Sequence, residues 1–281
     1  MMNLLPKLPL ADGIDAIVNW LKSIDGLFDV PKAIIGFLVE YISIGLSAIP
    51  EWLFILLVTA LAWFATKKKV GLPIFVFLGL FLIENLGYWN DMLLTLSLVL
   101  TSAGVSVLFG VPIGIWMAKS KTTENIITPI LDFMQTMPAF VYLIPAVVFF
   151  GIGMVPGVIA SVIFAMPPTV RLTNLGIRQV STELIEASDA FGSTPLQKLV
   201  KVQLPMAKKT IMAGVNQSIM LALSMVVIAS MIGASGLGTK VYYAVGRNDA
   251  GGGFEAGIAL VILAIILDRI TQSFNRQKGA A

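Results

Sequence analysis

Long apolar stretches separated by short polar loops dominate the chain. Runs near 50–66, 70–88, 92–118, 127–150, 154–173, 209–234 and 254–271 are long enough, read as helix, to cross or nearly cross about 30 Å of hydrocarbon. Several contain Pro or Gly, which helices buried among other helices tolerate. Between the fifth and sixth runs the pattern changes: residues 181–205 mix charges, small residues and turn signals. Before the first run, Ile14, Ile17, Val18, Leu21 and Ile24 recur near helical spacing among Asp12, Asp15, Asn19, Lys22 and Asp25. That pattern predicts an amphipathic helix lying on a membrane surface. The segment 33–49, which contains Glu40, reads as a further interfacial helix, with an eighth span as the alternative.

Composition agrees. The chain is 57% hydrophobic and 12% charged, against about 25% charged in an ordinary soluble domain. The class is therefore integral membrane protein. Lys67, Lys68 and Lys69 end the first run, Lys119 and Lys121 follow the third, and Arg171 and Arg178 follow the fifth. Lys198, Lys201, Lys208 and Lys209 precede the sixth run, and Arg269, Arg276 and Lys278 follow the seventh. Seven alternating crossings collect all of these on one side, which the positive-inside rule makes cytoplasmic. The N-terminus is then outside and 181–205 inside. The N-terminal stretch lacks an uninterrupted apolar core, so no cleavable signal peptide is expected. The organisation expected is an interfacial segment (1–49), accessory transmembrane helices (50–89) and a bundle core (90–275).

There is no cysteine and no histidine. That excludes disulfides, thiolate or His-based metal sites, and Ser-His or Cys-His nucleophiles. No catalytic residue and no metal site are assigned. A net charge of +3 is an orientation signal and not a nucleic-acid footprint. GASGLGTK (233–240) is not a phosphate loop, because it lacks Gly-Lys followed by Ser or Thr. It reads as a flexible turn on the outer face.

The polar module is well punctuated. Ser181 or Thr182 can cap a helix whose first turn carries Glu183. Leu184, Ala187, Ser188 and Phe191 share one face, and Gly192 ends the helix. Thr194, Pro195 and Gln197 form a capping-box pattern for a second helix with Leu196, Leu199 and Val200 on its apolar side, closed by Pro205. Two short helices joined by a Gly turn suit either a docking surface or a loop folded on its own bundle.

Glu186, Ala187, Gly192, Leu204 and Pro205 resemble the EAA loop of the membrane subunits of binding-protein-dependent ABC importers. Ser188 stands where a second Ala is usual, and Val202 where Ile is usual. The segments 86–102, 110–120, 131–153, 164–180 and 216–238 together resemble the permeases of glycine betaine/proline betaine importers. The resemblance implies an all-α, type I importer-like membrane bundle with extra N-terminal helices, in the bacterial cytoplasmic membrane. It implies coupling to an ATPase through Glu183, Glu186, Ala187, Ser188, Gly192, Leu204 and Pro205. Expected partners are two copies of an ATP-binding cassette subunit, a second permease copy, an extracellular or lipid-anchored substrate-binding protein and membrane lipids, but no nucleic acid. ATP and Mg belong to the ATPase, and this chain binds no cofactor.

Pro138 and Pro145 each remove a backbone donor from 127–150 and can bend or unwind it. Polar residues within spans face inward, as helix glue or as pathway lining. The candidate path comprises Met134, Gln135, Met137, Phe140, Tyr142, Asn216, Met220 and Ser224. The expected core spans carry no charge in their middles, which suits a neutral or zwitterionic solute such as glycine betaine, whose trimethylammonium head aromatic faces can hold. Choline, carnitine or an amino acid as cargo, a passive osmotic channel and an intramembrane enzyme are the competing readings. GVPIG (110–114) reads as a site of close helix packing within one subunit.

Overall fold

Glycines decide how the three central helices meet. In the computed structural model, which describes residues 9–24, 26–66 and 69–276, helix α5 (Trp89–Lys119) and helix α8 (Met154–Arg178) run parallel. Gly110 lies against Thr169 and Gly114 against Thr173, with Leu98 beside Gly157 near the far end. Helix α11 (Leu204–Ser230) packs antiparallel on α8, with Gly214 against the Pro168 carbonyl and Gly176 of α8 against Ala207 and Thr210. The 110–114 motif therefore packs helices within one chain, as its spacing predicts. Buried hydroxyls add a polar stitch: Ser218 donates to the Ala165 carbonyl at 2.5 Å, so Thr169 donates to Ser218 at 2.7 Å.

Around this core lie α1 (Leu10–Lys22), α2 (Asp29–Ser47), α3 (Glu51–Ala65), α4 (Gly71–Asn85), α6 (Lys121–Thr136), α7 (Leu143–Phe150), α9 (Thr182–Ala190), α10 (Pro195–Lys198), α12 (Leu237–Gly246) and α13 (Ala250–Arg276). No strand occurs among the described residues. Asp25, Lys67, Lys68 and Lys278, used above, lie outside the described residues. α13 joins the core through Ile262, Leu263 and Ile266, and α4 reaches it where Gly79 meets Ile262.

Among the described residues, five helical segments are long and apolar enough to cross a membrane: α2, α5, α8, Pro195–Ser230 and α13. α3 and α4 have 15 residues each, a rise of about 22 Å that falls short of a full hydrocarbon thickness. α2 has the composition of a span and packs along its length across the N-terminal ends of α5 and α8. Phe28, just before it, contacts Phe149 and Phe150, Gly36 approaches Val155, and Val39 and Ser43 share a cleft with Leu94 and Met154. α1 is amphipathic and buries none of its residues, with Leu10, Ile14, Ile17 and Trp20 exposed.

The span expected over 127–150 is broken, as its prolines allow. α6 and the 139–150 segment meet at 108°. Met137 is extended (φ −69°, ψ 135°), as a residue before proline prefers, and Pro138 has no N–H to continue the helix. Tyr142 donates its hydroxyl to the Met134 carbonyl and so satisfies an acceptor freed at the break.

The 233–240 turn also differs from expectation, being packed and not flexible. The Leu237 N–H donates to the buried Thr95 hydroxyl at 2.8 Å. A Cβ on Gly238 would lie 2.4 Å from the Val226 carbonyl oxygen. The middles of the core spans carry no charge, as expected. α8 and α13 extend beyond the expected runs and leave Arg171 and Asp268 about two turns inside their helices.

Candidate functional site

The polar module caps one end of the bundle, at the C-terminal ends of α5 and α8. Leu199 anchors it, buried with Ile177 and Ala207 and packed on Ile115 and Ala118. The rest of the local geometry follows from the sequence punctuation. Gly192 takes φ +74°, the left-handed conformation that ends α9, and the Ser193 N–H reaches back to the Ser188 carbonyl at 3.0 Å. Thr194 and Gln197 form the full capping box, Gln197 N–H to Thr194 Oγ1 at 3.3 Å and Thr194 N–H to Gln197 Oε1 at 2.9 Å. Lys198 pairs with Asp189 and closes α10 onto α9. Ser181 occupies the N-cap of α9, but its hydroxyl makes no capping bond.

One expected boundary is absent. Pro205 does not close the second helix; α10 continues through a π turn (Leu199–Gln203) into α11. The wider turn shifts the hydrogen-bond ladder where Pro205 cannot donate, so the helix passes the proline without stopping. α10 and α11 are thus one continuous helical segment, Pro195–Ser230, with α9 joined to it by the Gly192 turn.

Of the coupling candidates, Glu183, Glu186, Ala187, Gly192 and Pro205 are exposed, Leu204 is half-buried and Ser188 is buried, donating to the Ile185 carbonyl at 2.8 Å. The module also turns a set of large apolar side chains outward. Phe191 is 90% exposed, and Leu184, Leu196 and Val200 of the same module are exposed too. Leu199, expected on the same side as Leu196 and Val200, points inward instead. Phe191 was readable as part of an apolar face; its outward direction depends on which face Leu199 claims.

A second polar group stands beside the module. Arg178 pairs with Glu124 at 2.8 Å, donates to the Met117 carbonyl at 2.9 Å, and holds Asn174 at 2.9 Å. Arg171 pairs with Asp132. Together they clamp α6 to α8. In the sequence these arginines are orientation signals; acidic partners as distant as Asp132 and Glu124 leave no local pattern.

The eight path candidates do not converge on one wall within the chain. Met137 and Tyr142 pack with Phe164 and Met225, whereas Met134 packs with Met117, Leu131 and Val170. Tyr142 is buried and serves the break described above. Met220 joins the main core. Asn216 faces α13, its amide donating to Asp268 at 2.9 Å, with Gln272 on the same carboxylate at 2.7 Å. Gln135, Phe140 and Ser224 remain exposed.

Replacing Thr194 with alanine removes the capping oxygen and is expected to cost about 1 kcal/mol locally. Hydrogen exchange of the 194–199 amides should quicken while the melting temperature of the bundle stays near that of the parent.

Residues 110–278 match the family of binding-protein-dependent transport system inner membrane components. The chain is 68% identical over 275 residues to a glycine betaine/carnitine transport permease of Listeria monocytogenes, covering 97% of this chain and 98% of that one. It is 57% identical over 278 residues to a glycine betaine transport system permease of Bacillus subtilis, covering 99% and 98%. Its fold is similar to that of the MetNI methionine ABC transporter in inward-facing conformations, with a TM-score of 0.62 at 22% identity over 66% of this chain and 94% of that one.

Proposed function

Because the chain belongs to the family of binding-protein-dependent transport system inner membrane components, we propose that it carries glycine betaine or a related quaternary-ammonium compatible solute across the membrane. It is a multi-pass integral membrane protein, the permease subunit of an ABC importer. Such a subunit is not catalytic; ATP hydrolysis resides on a separate subunit. Permeases of this kind work with ATPase subunits and substrate-binding proteins.

The observation that carries the mechanism is the exposed apolar cluster of Leu184, Phe191, Leu196 and Val200 on a module continuous with α11. In our reading one of two ATPase copies docks there on each permease copy, around Glu183, Glu186 and Ala187. Closure of the ATPase pair moves α9 and α10, and the Pro195–Ser230 segment carries that displacement into the spans. Leu204 and Pro205 sit at the transition, Gly192 sets the angle between the helices, and Ser188 ties α9 to its own backbone. The arginine side of the bundle, with Lys119, Lys121, Lys208 and Lys209, is then cytoplasmic, in keeping with the positive-inside rule. α2, touching only the opposite end, lies along the outer interface.

A second permease copy completes the pathway in this reading. Gln135, Phe140 and Ser224, exposed in the single chain, would face it. Asn216, Met134, Met137, Met220 and Tyr142 support the wall from behind. The named cargoes of the two bacterial relatives support a betaine-type solute, and one of them includes carnitine.

Reconstitution of the chain with its ATPase and binding protein in vesicles tests this. Uptake of radiolabelled glycine betaine is expected only with ATP and binding protein, and above uptake of carnitine or choline. Betaine uptake without ATP would favour a passive channel, and faster choline or carnitine uptake would replace the cargo assignment.

A further inference from the structure

At the end of the bundle opposite the 182–205 module, a polar pocket runs into an apolar groove. The pocket, of about 340 Å³, is lined by Tyr88, Lys240, Tyr243, Arg247 and Asp249. The groove, of about 790 Å³, follows α13 past Gly253, Phe254, Gly257, Val261 and Ile265, with Phe75 of α4 on its far side. The two share Ala244 and Asp249, so they form one cleft with a charged head and a long apolar tail.

The charges at the head are only partly spent. Arg247 lies 5.7 Å from the centre of the Tyr243 ring and has no carboxylate partner among the described residues. Lys240 stands 3.4 Å from Asp91, a long ion pair. Asp249 is occupied in accepting the Gly252 N–H at 3.0 Å. Burial, reinforced by the Glu255 carboxylate, pushes the Tyr88 hydroxyl above its ordinary value. The tail owes its depth to glycine: a Cβ at Gly257 would meet nothing within 4 Å.

We propose that this cleft holds one glycerophospholipid, its phosphate between Arg247, Lys240 and the two tyrosines and an acyl chain along α13. Charge complementarity selects this occupant. The cations stand only at the end of the cleft, and below Asn248 and Asp249 at its mouth the groove is apolar, which is the order of groups along a lipid. α13 is itself long and apolar enough to span, so the head lies where headgroups begin. A protein partner would have to supply an anion and a continuous apolar ridge in that same order.

The test uses the full chain in nanodiscs containing phosphatidylglycerol with a diazirine in one acyl chain. After irradiation, labelled peptides should concentrate in 244–265. Gly257→Leu, which fills the groove without a clash at its Cβ, should lower that labelling about tenfold, the equivalent of about 1.4 kcal/mol. Arg247→Gln, a surface change that leaves the groove intact, should lower it by a similar factor. Even labelling of all lipid-facing segments, unchanged by either substitution, would overturn the proposal. So would efficient cross-linking of Phe254→Cys between two copies, which would give the groove to a second chain; the parent has no cysteine to confuse that readout.

Discussion

Gly114→Leu is expected to yield little or no monodisperse protein, a large effect on folding. A Cβ at this position would lie 2.6 Å from the Val170 carbonyl oxygen and 2.6 Å from the Thr173 Cβ. Overpacking costs about 1–3 kcal/mol where flexible side chains can give way. Here the obstacle includes backbone, so α5 and α8 must separate. The same contact stands beside Met117 and Val170, which hold α6 in place, and separation would release that helix too. Gly104→Leu is the matched control on the same helix, since a Cβ there meets nothing within 4 Å. Size-exclusion profiles and thermal unfolding in detergent check both. A Gly114→Leu protein that elutes and melts like the parent would show that α5 and α8 are not held at this distance.

That close approach was partly legible in the sequence. Two glycines four residues apart in an apolar run announce a packing face; they do not name the partner helix. The same limit applies elsewhere. Gly192 and the Thr194–Gln197 box could be read residue by residue, because caps are local chemistry. Pro205 could not, because whether a proline ends a helix depends on the register of the preceding turn, and the π turn at Leu199–Gln203 supplies that register. Apolar length marked α5, α8 and α11; at 127–150 it was Pro138, not length, that signalled the bend at Met137–Pro138, and its size was not legible.

The candidate site divides the same way. Its exposed acids and small residues lie close in sequence and form a recognisable string. The clamp of Arg171 and Arg178 on Asp132 and Glu124 joins α8 to α6 across the fold and has no periodic signature. Asn216 looked like a pathway residue because polar groups in a span point inward. Its partner Asp268, on the last helix, turns it into a contact between α11 and α13. The path candidates thus scatter because each answers a local need of the single chain, while a pathway between two copies would be lined by what the single chain leaves exposed.

The larger functional effect is expected at Phe191. A side chain 90% exposed, outside the apolar spans and next to Gly192, gains nothing from the fold around it. Buried against a partner it would be an anchor, and truncating an aromatic anchor commonly costs about 2 kcal/mol or more, about 30-fold in affinity. Phe191→Asp adds the burial of a charge and should abolish both co-purification of the ATPase and solute uptake. Leu196→Asp should do the same more weakly. Glu186→Lys, which reverses an exposed charge on the same module, should also uncouple assembly. Because the Phe191 side chain is almost wholly exposed, Phe191→Asp should leave the elution profile and melting temperature of the isolated permease unchanged, and Phe191→Leu should restore much of the uptake. Those two readouts separate lost docking from lost folding. Normal uptake and normal co-purification with Phe191→Asp would remove the apolar cluster from the coupling surface, and would leave α9 and α10 as a lid folded on its own bundle.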